Sequence, residues 1–143
     1  PISNGGNDMG DVSNVKKFID DAGGVFFLAT VDGDAPRLRP LGLSVMVEDK
    51  LIFGVGDFEE VYKQLCANPK CEIVCAKKDA HWLRYSGTAV FDNDEKYVQA
   101  CLEKSPSLKK IYNEETGRKL MTFHLENATA VDIAVMGPGE SLL

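Results

Sequence analysis

Residues 25–45, "VFFLATVDGDAPRLRPLGLSV", constrain the fold more than any other stretch. An apolar run rich in β-branched and aromatic residues reaches Asp32-Gly33-Asp34, a tight-turn signal, and a second extended run follows at once. So short a connection joins only antiparallel neighbours, because parallel strands need a crossover of about a dozen residues or more. The second run also contains Pro36 and Pro40, which lack backbone donors, so it belongs at a sheet edge or a bulge.

The remaining punctuation continues in kind. After the turn "EDK", "LIFGVG" (51–56) reads as a strand, so 25–31, 36–47 and 51–56 form an expected meander. "CEIVCAK" (71–77) and "HWLRYSGTAVFD" (81–92, kinked at Gly87) follow, then "LMTFHLE" (120–126) and "ATAVDIAV" (128–135). Helical spacing marks 11–22, capped by Asp11 or Ser13 and stopped by Gly23-Gly24. It also marks 58–67, ended by Asn68-Pro69, and 93–104, capped by Asn93 or Asp94. A short helix is expected from Pro106 to near Asn113, and the tail "MGPGESLL" is expected to be loose.

Strands that come in hairpins with helices inserted exclude a doubly wound parallel sheet. The fold class is mainly β (α+β), an antiparallel barrel with peripheral helices. The 143 residues suit one core, with no internal repeat and no dividing linker. Residues 9–143 are read as one domain starting at Met9, and the polar, Gly-rich residues 1–8 as a tag remnant or disordered segment. The net charge of −6 argues against nucleic-acid and membrane-surface partners. No apolar run reaches the roughly 18 residues that span a bilayer. Cys66, Cys71, Cys75 and Cys101 form no CxxC pair, and His81 and His124 lie apart, so no metal site is expected. The thiols suit a reducing cytoplasm.

Three stretches carry site chemistry. Arg37 and Arg39 share a strand face, and two adjacent cations there call for an anion, unless the face is simply solvated. "FGVGDFEEVYKQL" places Gly54 and Gly56 at a strand end before a helix, a phosphate-cradle geometry with Lys63 one turn further in. Glu59 and Glu60 work against an anion there and have a simpler role as first-turn acids. Trp82 and Arg84 share one face of "HWLRYSG", as either a ligand or interface patch or a half-buried core Trp beside a solvated Arg. No nucleophile–base set emerges, so any chemistry falls to a cofactor.

Taken in order, "FLATVDGDAPRLRPLGL", "KLIFGVGDFEEVYKQLCANPKCEI" and "HWLRYSGTAVFD" resemble the pyridoxamine 5′-phosphate oxidase-like flavoproteins over about residues 13–135. The resemblance implies an FMN-binding split β-barrel, working as a homodimer with flavin sites at the interface, and an oxidoreductase acting on a small molecule. It implies that Arg37, Leu38, Arg39 and Pro40 flank the flavin and its ribityl-phosphate. It puts Gly54 and Val55 at the phosphate contact, Tyr62 and Lys63 on the helix beyond it, and Trp82 and Arg84 near the ring. Glu59, Glu60 and Val61 stand where the oxidase has Ser-Arg-Lys, so phosphate recognition is expected to lean on Arg37, Arg39 and Lys63. The oxidase's C-terminal Trp and Arg pattern for pyridoxal phosphate has no counterpart here. Two alternatives remain: a non-catalytic flavin or haem carrier, with His81 or His124 as axial ligand, and a dimer without cofactor.

Overall fold

The hairpin expected at Asp32-Gly33-Asp34 forms. In the computed structural model, which describes residues 11–135 and 137–143, β1 (Phe26–Asp32) pairs antiparallel with β2 (Ala35–Leu41). Gly33 turns the chain at φ +64°, open to glycine because it has no Cβ. A two-residue loop closes on a hydrogen-bonded pair, here Asp32↔Ala35. Arg37, Arg39 and Leu41 therefore aim their backbone groups at β1, and Pro36, Leu38 and Pro40 aim theirs outward. Two prolines are tolerated for that reason, and β2 stands at the sheet edge. The expectations for residues 1–8 and Met9 lie outside the described residues.

The other strands are β3 (Ser44–Val47), β4 (Lys50–Gly56), β5 (Lys70–Ala76), β6 (His81–Phe91), β7 (Leu120–Ala134) and β8 (Gly139–Ser141). They run in the order β2-β1-β5-β6-β7-β4-β3, every pair antiparallel, with β8 added on β7. This is the split barrel. Its main core gathers Phe26, Phe53, Tyr85 and Phe123, with Phe26 edge-on to Phe53 at 5.3 Å. A second cluster of Ile52, Tyr97, Cys101 and Leu120 lies elsewhere on the sheet.

Helices α1 (Val12–Asp21), α2 (Glu60–Ala67) and α3 (Glu95–Lys104) are peripheral. Asp11 caps α1 by accepting from the Ser13 N–H, and Gly23 and Gly24 end it at φ +100° and +88°. Asp94 caps α3, accepting from the Lys96 N–H. Asn93, the other candidate, instead accepts from the Thr122 N–H at 2.7 Å. The turn after Pro106 is a 3₁₀ helix ending at Lys110, short of Asn113. None of these helices is long and apolar enough to cross a membrane.

Three expectations are corrected. Residues 36–47 are two strands, and β2 and β3 lie at opposite ends of the sheet, so the meander does not form. The chain breaks at Gly42-Leu43 because Leu43, Val45 and Val47 pack on the second cluster, away from the partner that β2 uses. Residues 120–134 are one strand, not two. Asn127, which looked like a separator, sits at φ +51° in a bulge where two residues of β7 oppose Gly87 of β6. The tail is not loose at 139–141: Val131 pairs with Ser141, and the Leu142 N–H donates to the Ala130 carbonyl at 2.9 Å.

Candidate functional site at the β2 edge and the β4–α2 turn

The two arginines on β2 meet different partners. Arg37 is exposed, and its Nε donates to Asp32 Oδ2 at 3.0 Å. Arg39 reaches inward to neutral oxygens. Its Nη1 donates to the Leu28 carbonyl at 3.1 Å and to Thr30 Oγ1 at 2.9 Å, and its Nη2 donates to Gln64 Oε1 at 2.6 Å. Thr30 Oγ1 donates to the same Gln64 oxygen at 2.7 Å. Arginine is donor-only, which settles the Gln64 amide orientation. Burial lowers the Arg39 pKa, and the Glu59 carboxylate partly restores it. Sequence reasoning missed Thr30 and Gln64. The one available signal was a polar Thr30 inside an apolar strand, in register with Arg37.

Across α2, the β4–α2 turn carries the other predicted residues. Val55 is buried in the main core, so only its backbone is available to a ligand. Gly54 is a packing glycine: a Cβ there would stand 3.0 Å from Leu43 Cδ2 and 3.1 Å from Leu120 Cδ1. Glu59, at the α2 N-cap position, makes no side-chain cap. Its Oε1 turns back and accepts from the Gly56 N–H at 2.5 Å. The Phe58 ring, the Tyr112 hydroxyl and that carboxylate oxygen crowd the Cα of Gly56, leaving no space for a side chain. Burial raises the Tyr112 pKa, Glu59 and Asp57 add to the rise, and Arg118 opposes it. Glu60 pairs with Lys63 at 3.5 Å at the exposed surface, and Tyr62 packs edge-on to Phe91 at 5.0 Å.

The remaining predicted residues share the outer sheet face. Successive pairings place Pro40, Phe27, Val74, Arg84 and Val131 in one row across five strands. Arg84 thus stands three strand spacings from Pro40, about 14 Å. It lies 4.9 Å over the Trp82 ring, and its Nε donates to Glu72 Oε2 at 3.2 Å. Leu38 is 66% exposed and Phe27 44%, so the face is apolar and open. A hollow of about 530 Å³ runs along it past Ala29, Val31, Pro36 and Glu72.

This open antiparallel barrel, with an arginine-bearing proline-flanked edge strand and a glycine turn leading into α2, is matched over residues 13–133 by the family model described as pyridoxamine 5′-phosphate oxidase. The chain belongs to that family. A NimC/NimA family protein from Clostridium acetobutylicum is 30% identical over 92% of this chain and 90% of its own, with a TM-score of 0.81. A heme-binding protein from Mycobacterium smegmatis shares the fold at 14% identity, covering 98% of this chain and 59% of that one, with a TM-score of 0.70. So does an FMN-binding protein related to pyridoxamine 5′-phosphate oxidase from Nostoc punctiforme, at 12% identity, 85% and 80% coverage and a TM-score of 0.53. No curated protein matches the chain.

Against FMN, the two ends of this candidate site differ. The ring end fits. The outward edge of β2 offers the Leu38 N–H between the carbonyls of Pro36 and Pro40, with Leu38 and Phe27 exposed on the face behind it, whereas Trp82 and Arg84 stand on β6, about 14 Å away. The phosphate end does not. The Gly56 amide is taken by Glu59 and the Arg39 guanidinium is held by Leu28, Thr30 and Gln64, while Lys63 and Arg37 stand at the exposed surface, each with one acidic neighbour, Glu60 and Asp32.

Proposed function

We propose that this chain is a flavin-binding oxidoreductase of a small molecule, with the ring of an FMN-type cofactor on the β2 edge and a homodimer as the working unit. The observation that carries the reading is the outward edge of β2, where one N–H stands between acceptor carbonyls in a chain of this family. A flavin ring edge alternates acceptors with a donor and pairs with such a backbone. Pro36 and Pro40 keep that edge short of other donors, so the Leu38 N–H sets the register.

A bound flavin supplies hydride and single-electron transfer. The chain's own residues bind and orient it. Leu38 and the prolines hold the ring edge, while Arg84, about 14 Å away across the outer sheet face and paired with Glu72, stands outside that contact. A single copy leaves this face open. A second copy laid on it buries Val25, Phe27 and Leu38 and shuts water out of the flavin site. The exposed free thiol of Cys66 suits a reducing cytoplasm.

Titration of the purified protein with FMN, followed by flavin fluorescence and absorption, tests the reading. Quenching with a shifted flavin band is expected, weakened by Leu38→Pro, which removes the ring-edge N–H, and unaffected by Lys109→Ala. Unquenched flavin and a colourless protein reject it.

A second reading, a haem carrier, rests on His81. Its Nδ1 is 2.7 Å from Asp132 Oδ1, the carboxylate-oriented arrangement that metal-binding imidazoles use. His124 suits iron less well, since Nε2 is held by Glu126 and Nδ1 is buried with no partner among the described residues. A Soret band that forms on haem addition and is lost in His81→Ala supports this reading over the first.

A further inference from the structure

We propose that the Glu59 carboxylate is a resident occupant of the anion subsite at the β4–α2 turn, so that this chain selects the flavin ring and is indifferent to the cofactor's phosphate. The inference rests on the flavin reading above and concerns which flavin the site takes.

The turn has the geometry that binds anions: a strand end, a glycine whose amide points into the turn, and the N-terminus of a helix. A second, independent observation shows what that geometry holds. Glu59 stands at the N-cap position yet caps nothing in α2. Its Oε1 instead turns back to the Gly56 N–H at 2.5 Å, a short charge-assisted bond. The same oxygen and the Tyr112 hydroxyl lie 3.0 and 2.8 Å from where a Gly56 Cβ would stand, so carboxylate and hydroxyl fill the cradle together. The carboxylate also lies in the field of Arg39, whose N–H groups are engaged by neutral oxygens and which lacks an ion-pair partner within its own hydrogen-bond set.

A phosphate entering this turn meets a negative charge already bound to the amide it needs. It must displace Glu59 into solvent or bind elsewhere. Displacement adds little net affinity, because one anion replaces another on the same donor, and a phosphate bound elsewhere forgoes the Gly56 amide and meets only the solvent-exposed cations Arg37 and Lys63. Riboflavin, which has the ring and no phosphate, meets no such conflict. The residue that sets this preference is Glu59, and it acts on the cofactor's tail without touching the ring.

Parallel titrations of the apoprotein with riboflavin and with FMN, read by flavin fluorescence, test this. The expected result is equal dissociation constants within about twofold. Glu59→Ala, which empties the cradle, should shift the preference toward FMN by about tenfold or more. Glu59→Gln keeps the acceptor for Gly56 and removes the charge, so it should shift the preference in the same direction by less, and it carries the test if the alanine variant does not fold. Glu103→Gln, an exposed change on α3, should leave the ratio at the wild-type value. Wild-type protein that binds FMN more than about tenfold tighter than riboflavin overturns the proposal and leaves the flavin reading standing. A ratio unmoved in both Glu59 variants overturns it likewise. If neither flavin binds, the flavin reading itself falls.

Discussion

Arg39 Nη2 lies 2.6 Å from Gln64 Oε1, tying the edge strand β2 to helix α2 through a cation and a neutral amide. The same amide oxygen accepts from Thr30 Oγ1 at 2.7 Å, so one acceptor serves two donors in a part-buried place. Gln64→Ala removes it and leaves both donors wanting, which destabilises by about 1–3 kcal/mol. Thr30→Val removes one member and costs less, about 1 kcal/mol. Urea unfolding followed by the fluorescence of the single Trp82 measures both. An unchanged midpoint in Gln64→Ala would show that Arg39 reaches water instead.

The bulge opposite Gly87 predicts opposite outcomes at two neighbouring positions. A Cβ on Gly87 would stand 2.9 Å from the Glu126 carbonyl oxygen, a backbone atom with little freedom to retreat. Gly87→Ala therefore destabilises by about 1–3 kcal/mol. Asn127 holds φ +51°, so Asn127→Gly is neutral or mildly stabilising, and Asn127→Val costs about 1–2 kcal/mol. Thermal melts of the three variants read out this order.

The buried thiols give stability an alkaline limit. Burial raises Cys71 from 9.0 to about 12, and Cys75 and Cys101 from 9.0 to about 11. Tyr85 is pushed from 10.0 to about 12 by the same cause. In each case the folded value lies above the unfolded one, so the unfolded chain loses protons first as pH rises. The stabilisation is complete below 9.0 and is lost on the way up to about 11 or 12, at about 1.4 kcal/mol per pH unit for each group. Urea midpoints should be flat through neutral pH and fall steeply above 9.0. A thiol reagent at neutral pH should label Cys66 alone in the native protein and all four cysteines in urea.

Leu38, on the outward edge of β2, is 66% exposed on the apolar face proposed for a second copy. Leu38→Asp places an unpaired charge in that interface and should weaken self-association by about a hundredfold or more, while leaving the melting temperature of the monomer nearly unchanged. Sedimentation equilibrium against protein concentration checks it. A wild-type protein that is monomeric at all concentrations rejects the dimer.

Local signals were legible wherever the physical cause was itself local. Gly33 named the β1–β2 turn, Asp11 and the Gly23-Gly24 pair bounded α1, and Pro69 stopped α2 at Asn68. Pro36 and Pro40 placed β2 at an edge because a missing N–H is a property of the residue alone. Gly87 and Asn127 were both readable as irregularities. Whether Asn127 ends a strand or bulges it depends on β6 lying alongside.

The sequence by itself determined that the chain is antiparallel and barrel-like, where most of its extended segments lie, and which strand carries the arginines. Those follow from turn length, period and proline chemistry, all read within a few residues. Only the tertiary structure decided where β3 goes after Gly42, because Leu43 and Val45 answer to a cluster built from Ile52, Tyr97, Cys101 and Leu120. It also decided that β8 closes on β7, and what meets the cations and amides of the candidate site. Arg39 finds Gln64 and Thr30, and Gly56 finds Glu59, through side-chain directions and helix placement that no spacing encodes. Donors and acceptors are a property of the sequence. Which of them satisfy one another is a property of the fold.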